Sequence, residues 1–453
     1  LIPVLTPEEM RAVDRAAPEP EEVLVERAGS AVARAALAML GGAYGRRVVV
    51  VAGKGNNGAD GRVAADHLRR RGVRVQVIDA ADQPGRLPAS DLVIDAAYGT
   101  GFRGDYSAPD PAGAPVLAVD IPSGIDGLTG EAQDGAVWAT ATVTFAALKT
   151  GLLLGAGVEH AGRVTVADIG LDVSRSTIGV VEASDVAAWM PDRQRDSHKW
   201  KSAIWMIAGS PGMTGAADMA ARAAMRAGAG TVRLGIPGVP PNPRFPEVIG
   251  RRLPEEGWDT DVVDGGLERV KAVVMGPGLG RSDATAAAVR RLVAQAEVPL
   301  VLDADALFAL GSLDDPPRFL RNRRGPTVLT PHDGEFSRLT GCPPGPRRIS
   351  AVRHLAFTTG ATVLLKGSTT IVADPAGDVL LTTAGDARLA TAGSGDVLAG
   401  VIGALLAQGL DGPQAAAAGA FVHGTAAGLG WRRGLVAGDL PDLLPAVFNT
   451  IAP

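Results

Sequence analysis

The chain is 453 residues long, 46% hydrophobic and 21% charged, with a formal net charge of −5. That length suits two to four domains and that usage is ordinary for globular proteins, which excludes a disordered chain. The longest apolar stretch at a helix signal, Val397 to Ala407, is about half of the ~20 residues a membrane span requires, and a mildly acidic chain has no global field to draw it to nucleic acid or to an anionic membrane.

An anionic ligand must therefore be held by local groups. The 59 glycines and 32 prolines make up about a fifth of the chain, short of the ~25–30% that marks low complexity, so the glycines ask for local explanations. The single cysteine, Cys342, excludes an internal disulfide framework and a multi-cysteine metal site. The first residues, LIPVLTPEEMRAVD, show no basic segment followed by an apolar core, so a cytoplasmic protein is the expectation.

In chain order, short β-branched runs alternate with helical patterns: RVVVVAG (47–53), VRVQVIDA (73–80), LVIDAA (92–97), PVLAVDIP (115–122) and ATVTFAA (141–147). Continuous apolar runs separated by segments such as Gly61 to Arg71 predict a parallel sheet covered on both faces. A second series follows the charge-mixed stretch PDRQRDSHKWK (191–201): AIWMIAGS, TVRLGIP, AVVMGPG, PLVLDAD, TVLTPH and TVLLKG. Two series, each opening on strand-then-glycine, predict two α/β domains, 1–185 and 186–453, without a fixed-period repeat.

In the first series GKGNNGADG (53–61) joins a strand to a helix, a place where free N–H groups suit a phosphate. Two later strand ends carry Asp95 with GTG (99–101) and Asp120 with IPSG (121–124). Ligands bind at the carboxyl ends of parallel strands, so Asn57, Asp95, Asp120 and Ser123 are candidates for one site, and their oxygen donors suit a hard cation rather than zinc. Lys149, at the end of the next strand, forms a candidate acid–base couple with Asp120. Taken singly, each of these residues is an ordinary turn or surface residue.

Together with VLVERAG (23–29), IDAAYGTGFRGD (94–105), VDIPSGIDGLTGE (119–131) and TFAALKTG (144–151), these motifs resemble the NAD(P)H-hydrate epimerase domain over nearly the whole first half. The resemblance implies a Rossmann-like three-layer fold with potassium on Asn57, Asp95 and Ser123. It implies catalysis by Asp120 and Lys149. Substrate contacts would fall on Asn56, Asn57, Gly58, Ala59 and Asp60, on Gly99, Thr100, Gly101, Phe102, Arg103, Gly104 and Asp105, and on Asp120. Ala59 replaces a glycine usual in that loop.

In the second series TAGSGDVLAGVIGALLAQG (391–409) reads as a loop entering an apolar helix closed by Gly409. Gly393, Ser394 and Gly395 offer backbone N–H groups to a phosphate, and Asp396 beside them is a candidate general base for a hydroxyl attacking a phosphoryl group. With IAGSPGMTGAADMAARAAMRAGAGTV (207–232), MGPGLGRS (275–282), VLDADAL (301–307), VLTPHDGEFSRL (328–339) and VLLKGSTTIV (363–372), the second half is similar to the ADP/ATP-dependent NAD(P)H-hydrate dehydratase branch of the ribokinase-like superfamily. That resemblance implies adenine nucleotide on Lys366, Gly367, Ser368, Thr369, Thr370 and Gly395, and the hydrated nicotinamide nucleotide near Ala216, Gly278, His332 and Asp396.

The family's HKGxxG is HKWKSA here (198–203), with Trp200 and Ala203 at glycine positions, and Asp386 stands where an asparagine is usual. A carboxylate there would repel a phosphate unless a cation or Arg388 compensates. The resemblance implies a bifunctional repair enzyme acting on NADHX and NADPHX, with potassium in the first half, magnesium in the second and ADP as phosphoryl donor; homo-oligomerisation enters only through the family. Two alternatives stay open: a ribokinase-like small-molecule kinase fused to a nucleotide-binding module, and a first half that binds without catalysing.

Overall fold

The computed structural model describes residues 1–82, 84–101, 104–192, 195–311 and 318–451. The chain divides into two compact units, Ile2–Ile178 and Gly179–Pro453, the latter joined by Leu1. Phe102 and Arg103, expected in the first site, lie outside the described residues.

The first unit runs β1 (Ile2–Leu5), α1 (Pro7–Ala16), α2 (Glu21–Leu40), β2 (Arg47–Ala52), α3 (Asn56–Arg70), β3 (Arg74–Asp79), β4 (Leu92–Ala96), β5 (Val116–Val119), β6 (Ala141–Phe145), β7 (Leu148–Lys149), α4 (Gly157–His160) and β8 (Arg163–Ala167). Its main sheet is parallel with strand order β3-β2-β4-β5-β6-β8. Alternation along β2 splits the core. Val48, Val50 and Ala52 pack with α2 and α3, while Val49 and Val51 pack on the other face with Leu87, Tyr106 and Val137. A short parallel pair, β1 with β7, sets Leu5 opposite Lys149.

The second unit continues with β9 (Ile178–Val180), α5 (Ala183–Trp189), β10 (Ala203–Ile207), α6 (Thr214–Arg226), β11 (Thr231–Pro237), β12 (Val248–Leu253), α7 (Trp258–Asp264), β13 (Ala272–Met275), α8 (Asp283–Gln295), β14 (Leu300–Leu302), α9 (Asp305–Leu310), α10 (Arg318–Arg321), β15 (Thr327–Leu329), α11 (Asp333–Thr340), α12 (Arg348–Thr359), β16 (Thr362–Leu365), β17 (Thr370–Ala373), β18 (Val379–Thr382), α13 (Ser394–Gln408), α14 (Gly412–Leu429) and α15 (Leu440–Ile451). Residue 185, the boundary expected from sequence, falls inside α5. The strands run β12-β11-β10-β13-β14-β15-β16 in parallel, and β17 and β18 extend the sheet antiparallel.

Each sheet reverses its strand order once, at β2/β4 in the first unit and at β10/β13 in the second. Ligand crevices open beyond the carboxyl ends of strands at such points, and the glycine-rich loops 53–55 and 276–280 leave from those strands. The apolar run that resembled half a membrane span is α13, buried from Val397 to Ala407 against the alanines of α6 and α14. Among the described residues no helix is long and apolar enough to cross a membrane.

Ile402 of α13 is fully buried and faces α14 at Gly419. Ile402→Ala should destabilise the second unit by about 2–5 kcal/mol through the cavity it leaves, read as a lower denaturant midpoint for that unit's transition.

Candidate functional sites

In the first unit Lys149 is 1% exposed, and a buried ammonium needs every proton matched. Its Nζ lies 3.0 Å from Asp120 Oδ1 and donates to Thr144 Oγ1 (2.9 Å), the Phe145 carbonyl (2.7 Å) and the Ala147 carbonyl (3.1 Å). Asp120 also accepts from Thr144 Oγ1 and from the Thr100 N–H. Burial disfavours its carboxylate, but Lys149 and these hydrogen bonds outweigh burial and hold its pKa below the ordinary value. Asp120 adopts φ +66°, a left-handed conformation rare outside glycine that costs free energy and persists where the surroundings enforce it.

These groups line an open cavity of about 640 Å³ that also receives Asn56, Asn57, Asp60, Gly99, Thr100 and Gly101. A Cβ placed on Gly99 would lie 3.1 Å from Asp120 Oδ2 and 3.5 Å from Asn57 Cγ, so loops after β2, β4 and β5 converge on one spot. Gly58, Ala59, Gly104 and Asp105 are not among the lining residues. Asp60 is buried, with its pKa pushed up to about 8 by desolvation and then by Asp120 and Asp14.

Beside this cavity Asp95 is 2% exposed and accepts from Ser123 N–H (2.8 Å) and Ser123 Oγ (2.7 Å). Desolvation pushes its pKa up to about 6 against those hydrogen bonds. Asn57 is buried, and both polar atoms of its amide lack a hydrogen-bond partner. An orphaned amide oxygen with carboxylate and hydroxyl oxygens nearby in the fold is a donor set that fits potassium.

In the second unit Lys366, on the turn after β16, is held at 2.6 Å by Asp303, which is 1% exposed at the end of β14 and also accepts from Thr330 Oγ1 at 2.8 Å. A Cβ on Gly395 would lie only 3.3 Å from Lys366 Nζ, so the glycine lets the α13 terminus approach the ammonium. Asp396 in the first turn of α13 has its pKa raised to about 6 by desolvation and then by Asp303, with Lys366 opposing. Gly393 caps that helix in a left-handed conformation without a side-chain cap, and the Ser394 N–H donates to the Thr391 carbonyl.

Ala216 and Gly278 meet, a Cβ on the glycine lying 3.0 Å from Ala216 Cβ. His332 caps α11: its Nδ1 accepts from the Gly334 and Glu335 N–H groups, and the Glu335 carboxylate accepts from the His332 N–H. Through Glu335, 4.0 Å from Lys366, the cap adjoins the centre. Gly367 to Thr369 form the β16–β17 turn, which Arg348 braces by donating to the Lys366 carbonyl and, twice, to Asp333. Arg388 pairs with Asp386 and holds its pKa down at about 2, which supplies the compensation the sequence required. Trp200 stacks 5.0 Å from the Arg233 guanidinium.

Asp303, Thr330, Glu335 and Arg348 were missed by sequence reasoning as site residues. Asp303 ends a strand as Asp95 and Asp120 do, so the same strand-end signal was there to use. Glu335 and Arg348 carry no such signal, being brought in by α11 and α12.

A family model described as NAD(P)H-hydrate dehydratase matches residues 204–447, and one described as YjeF-related protein N-terminus matches 21–86 and 78–151. The Bifunctional NAD(P)H-hydrate repair enzyme Nnr of Mycobacterium leprae is 41% identical over 442 residues, covering 90% of each chain. Its counterpart in Moorella thermoacetica is 36% identical over 516, covering 99% of this chain and 97% of its own. The ADP/ATP-dependent NAD(P)H-hydrate dehydratase of Bacillus subtilis, co-crystallised with ATP/Mg2+, is 33% identical with a TM-score of 0.53 over 60% of this chain and 97% of its own.

His423, buried in α14, has its pKa lowered to about 4 from the usual 6.5 by desolvation, partly offset by hydrogen bonding to the Ser394 backbone. The unfolded chain binds this proton first on acidification, so stability should fall by up to about 3 kcal/mol between pH 6.5 and 4. Denaturation across that window should show the loss, and a folded His423→Asn variant should show correspondingly less of it.

Proposed function

Since this chain belongs to the family of bifunctional NAD(P)H-hydrate repair enzymes, an epimerase unit joined to a dehydratase unit, we propose that the Asp120–Lys149 centre interconverts the R and S hydrates and that the Asp396–Lys366 centre dehydrates the S form. The observation that carries this reading is that each unit holds one lysine against a carboxylate at a strand end: Lys149 on Asp120 and Lys366 on Asp303. The alternative of a kinase fused to a nucleotide-binding module accounts for the second centre but leaves the buried Asp120–Lys149 pair of the first without a catalytic task.

The hydrate carries its hydroxyl on the ring carbon next to nitrogen. In the first unit the nitrogen lone pair expels that hydroxyl as water once it is protonated, leaving a planar iminium; water then re-adds to either face as a carboxylate takes its proton. Asp120, kept ionised by Lys149, accepts that proton. Asn57, Asp95 and Ser123 would hold potassium, which supplies fixed positive charge to a site rich in carboxylates. The R and S substrates are NADHX and NADPHX.

In the second unit the adenine nucleotide's phosphates lie along the N–H groups opening α13 and beside Lys366, through contacts from Gly367, Ser368, Thr369, Thr370 and Gly395. Asp396, with its pKa near 6, is mostly ionised at neutral pH and takes the proton of the ring hydroxyl as that oxygen attacks the terminal phosphorus. With ADP as donor, AMP leaves; phosphate then departs from the ring carbon, a proton is lost from the neighbouring carbon, and the dihydropyridine is restored. Ala216, Gly278 and His332 shape the pocket for the nicotinamide nucleotide. Magnesium would screen the phosphates during transfer.

Two variants separate the centres. Asp120→Ala should leave ADP-dependent recovery of the reduced ring from S-NADHX intact while conversion of the R form stops; unchanged R-form turnover would refute the role of Asp120. Asp396→Ala should abolish dehydration, a loss of at least ~100-fold, while nucleotide still binds. In the unaltered protein dehydration should fall on acidification below about pH 6, as Asp396 takes up its proton, followed by ring absorbance at constant ionic strength.

A further inference from the structure

The motifs place one acid–base couple in the epimerase centre, yet expulsion of the hydroxyl needs a proton donor, and Asp120 is held ionised. The cavity has another wall. Helix α1, which no motif singled out, contributes Met10, Arg11, Asp14 and Arg15 to the lining.

Three local features fix that wall. β1 pairs with β7 so that Leu5 sits opposite Lys149, and α1 begins two residues later. A capping box starts it: Thr6 Oγ1 accepts from the Glu9 N–H (3.2 Å) and Glu9 accepts from the Thr6 N–H (2.8 Å), with Pro7 at the first position. Met10 is 8% exposed in the core, and a residue four positions on lies on the same helix face. That residue is Asp14, and its carboxylate makes no hydrogen bond or ion pair among the described residues.

We propose that Asp14 is the second proton-transfer group of the epimerase centre, the acid that donates to the departing hydroxyl, while Asp120 takes the proton of the water that re-adds. The inference rests on the epimerase reading above. Its carboxyl pKa is raised by partial desolvation, with Lys149 opposing and Asp120 and Glu21 adding to the rise, so Asp14 and Asp120 are pushed apart, as an acid and a base require. In the forward step the C–O bond breaks, its electrons and the Asp14 proton leave as water, and the nitrogen lone pair forms the C=N bond. Water then adds to the other face and gives its proton to Asp120; Asp120 releases that proton and Asp14 takes one up from solvent before the next turnover.

The charged groups facing Asp14 are Arg11 and Arg15 on its own helix, Glu21 on α2, Asp60 on α3, Asp120 after β5 and Lys149 in β7; Glu19 is engaged by Arg27. Asp60 also has a raised pKa, but it is 7% exposed, whereas Asp14 reaches both cavity and solvent and can exchange its proton at each turnover.

The test uses the full chain with R- and S-NADHX separated chromatographically and the spontaneous reaction subtracted. Asp14→Asn should lower kcat for R-to-S conversion by about 100-fold, with KM within a few-fold, and abolish the fall in rate as pH rises through the Asp14 pKa. Asp14→Glu should restore the limb, and S-NADHX dehydration in the same protein should be unchanged. An unaltered kcat and pH limb in Asp14→Asn, or loss of the limb in Asp60→Asn instead, overturns the proposal. If Asp120→Ala also epimerises normally, the epimerase reading itself has failed.

Discussion

A lysine with almost no access to water must be neutralised where it stands, and the first unit is built around that requirement at Lys149. Its ammonium is surrounded by two carbonyls, the Thr144 hydroxyl and Asp120, and these partners come from β6, the β6–β7 turn and the loop after β5. Removing one partner of such a pair leaves an uncompensated buried charge, at a cost of roughly 3–5 kcal/mol. The same constraint makes the site: once Lys149 is fixed, Asp120 is held ionised in a left-handed backbone conformation and pointed into the cavity beside Asn57 and Gly99.

The second unit meets the same problem with different parts. Lys366 is held by Asp303 and faced by Glu335 and Asp396, three carboxylates around one ammonium. One cation cannot satisfy three anions in a desolvated space, so Asp396 and Glu335 are pushed toward protonation while Lys366 is held charged, burial opposing and Asp303 favouring it. A carboxylate poised near neutrality in the first turn of a helix is the arrangement proton abstraction during phosphoryl transfer needs.

Much of this was legible in the chain. Continuous apolar runs such as RVVVVA identified buried parallel strands, because a strand covered on both faces has no polar side to show. Asp95, Asp120 and Lys149 stand out as polar residues at the ends of such runs, and GSGD stands before an apolar run that is helix α13. Asp303 ends the apolar run in PLVLDAD in the same way. Asp14 had no sequence signal at all, since an aspartate in an amphipathic, charge-rich helix looks solvated.

The sequence by itself therefore determined the two α/β units, the glycine loops at their strand ends and the polar residues, Asp95, Asp120 and Lys149, that stand there, because each is encoded within a few neighbouring positions. The tertiary structure alone decided which carboxylate has its pKa lowered and which raised, and which helix walls the first unit's cavity. Those properties depend on desolvation and on charges brought together from distant segments: Asp120 with Lys149, Asp303 with Lys366, and Asp14 carried to its wall by the pairing of β1 with β7.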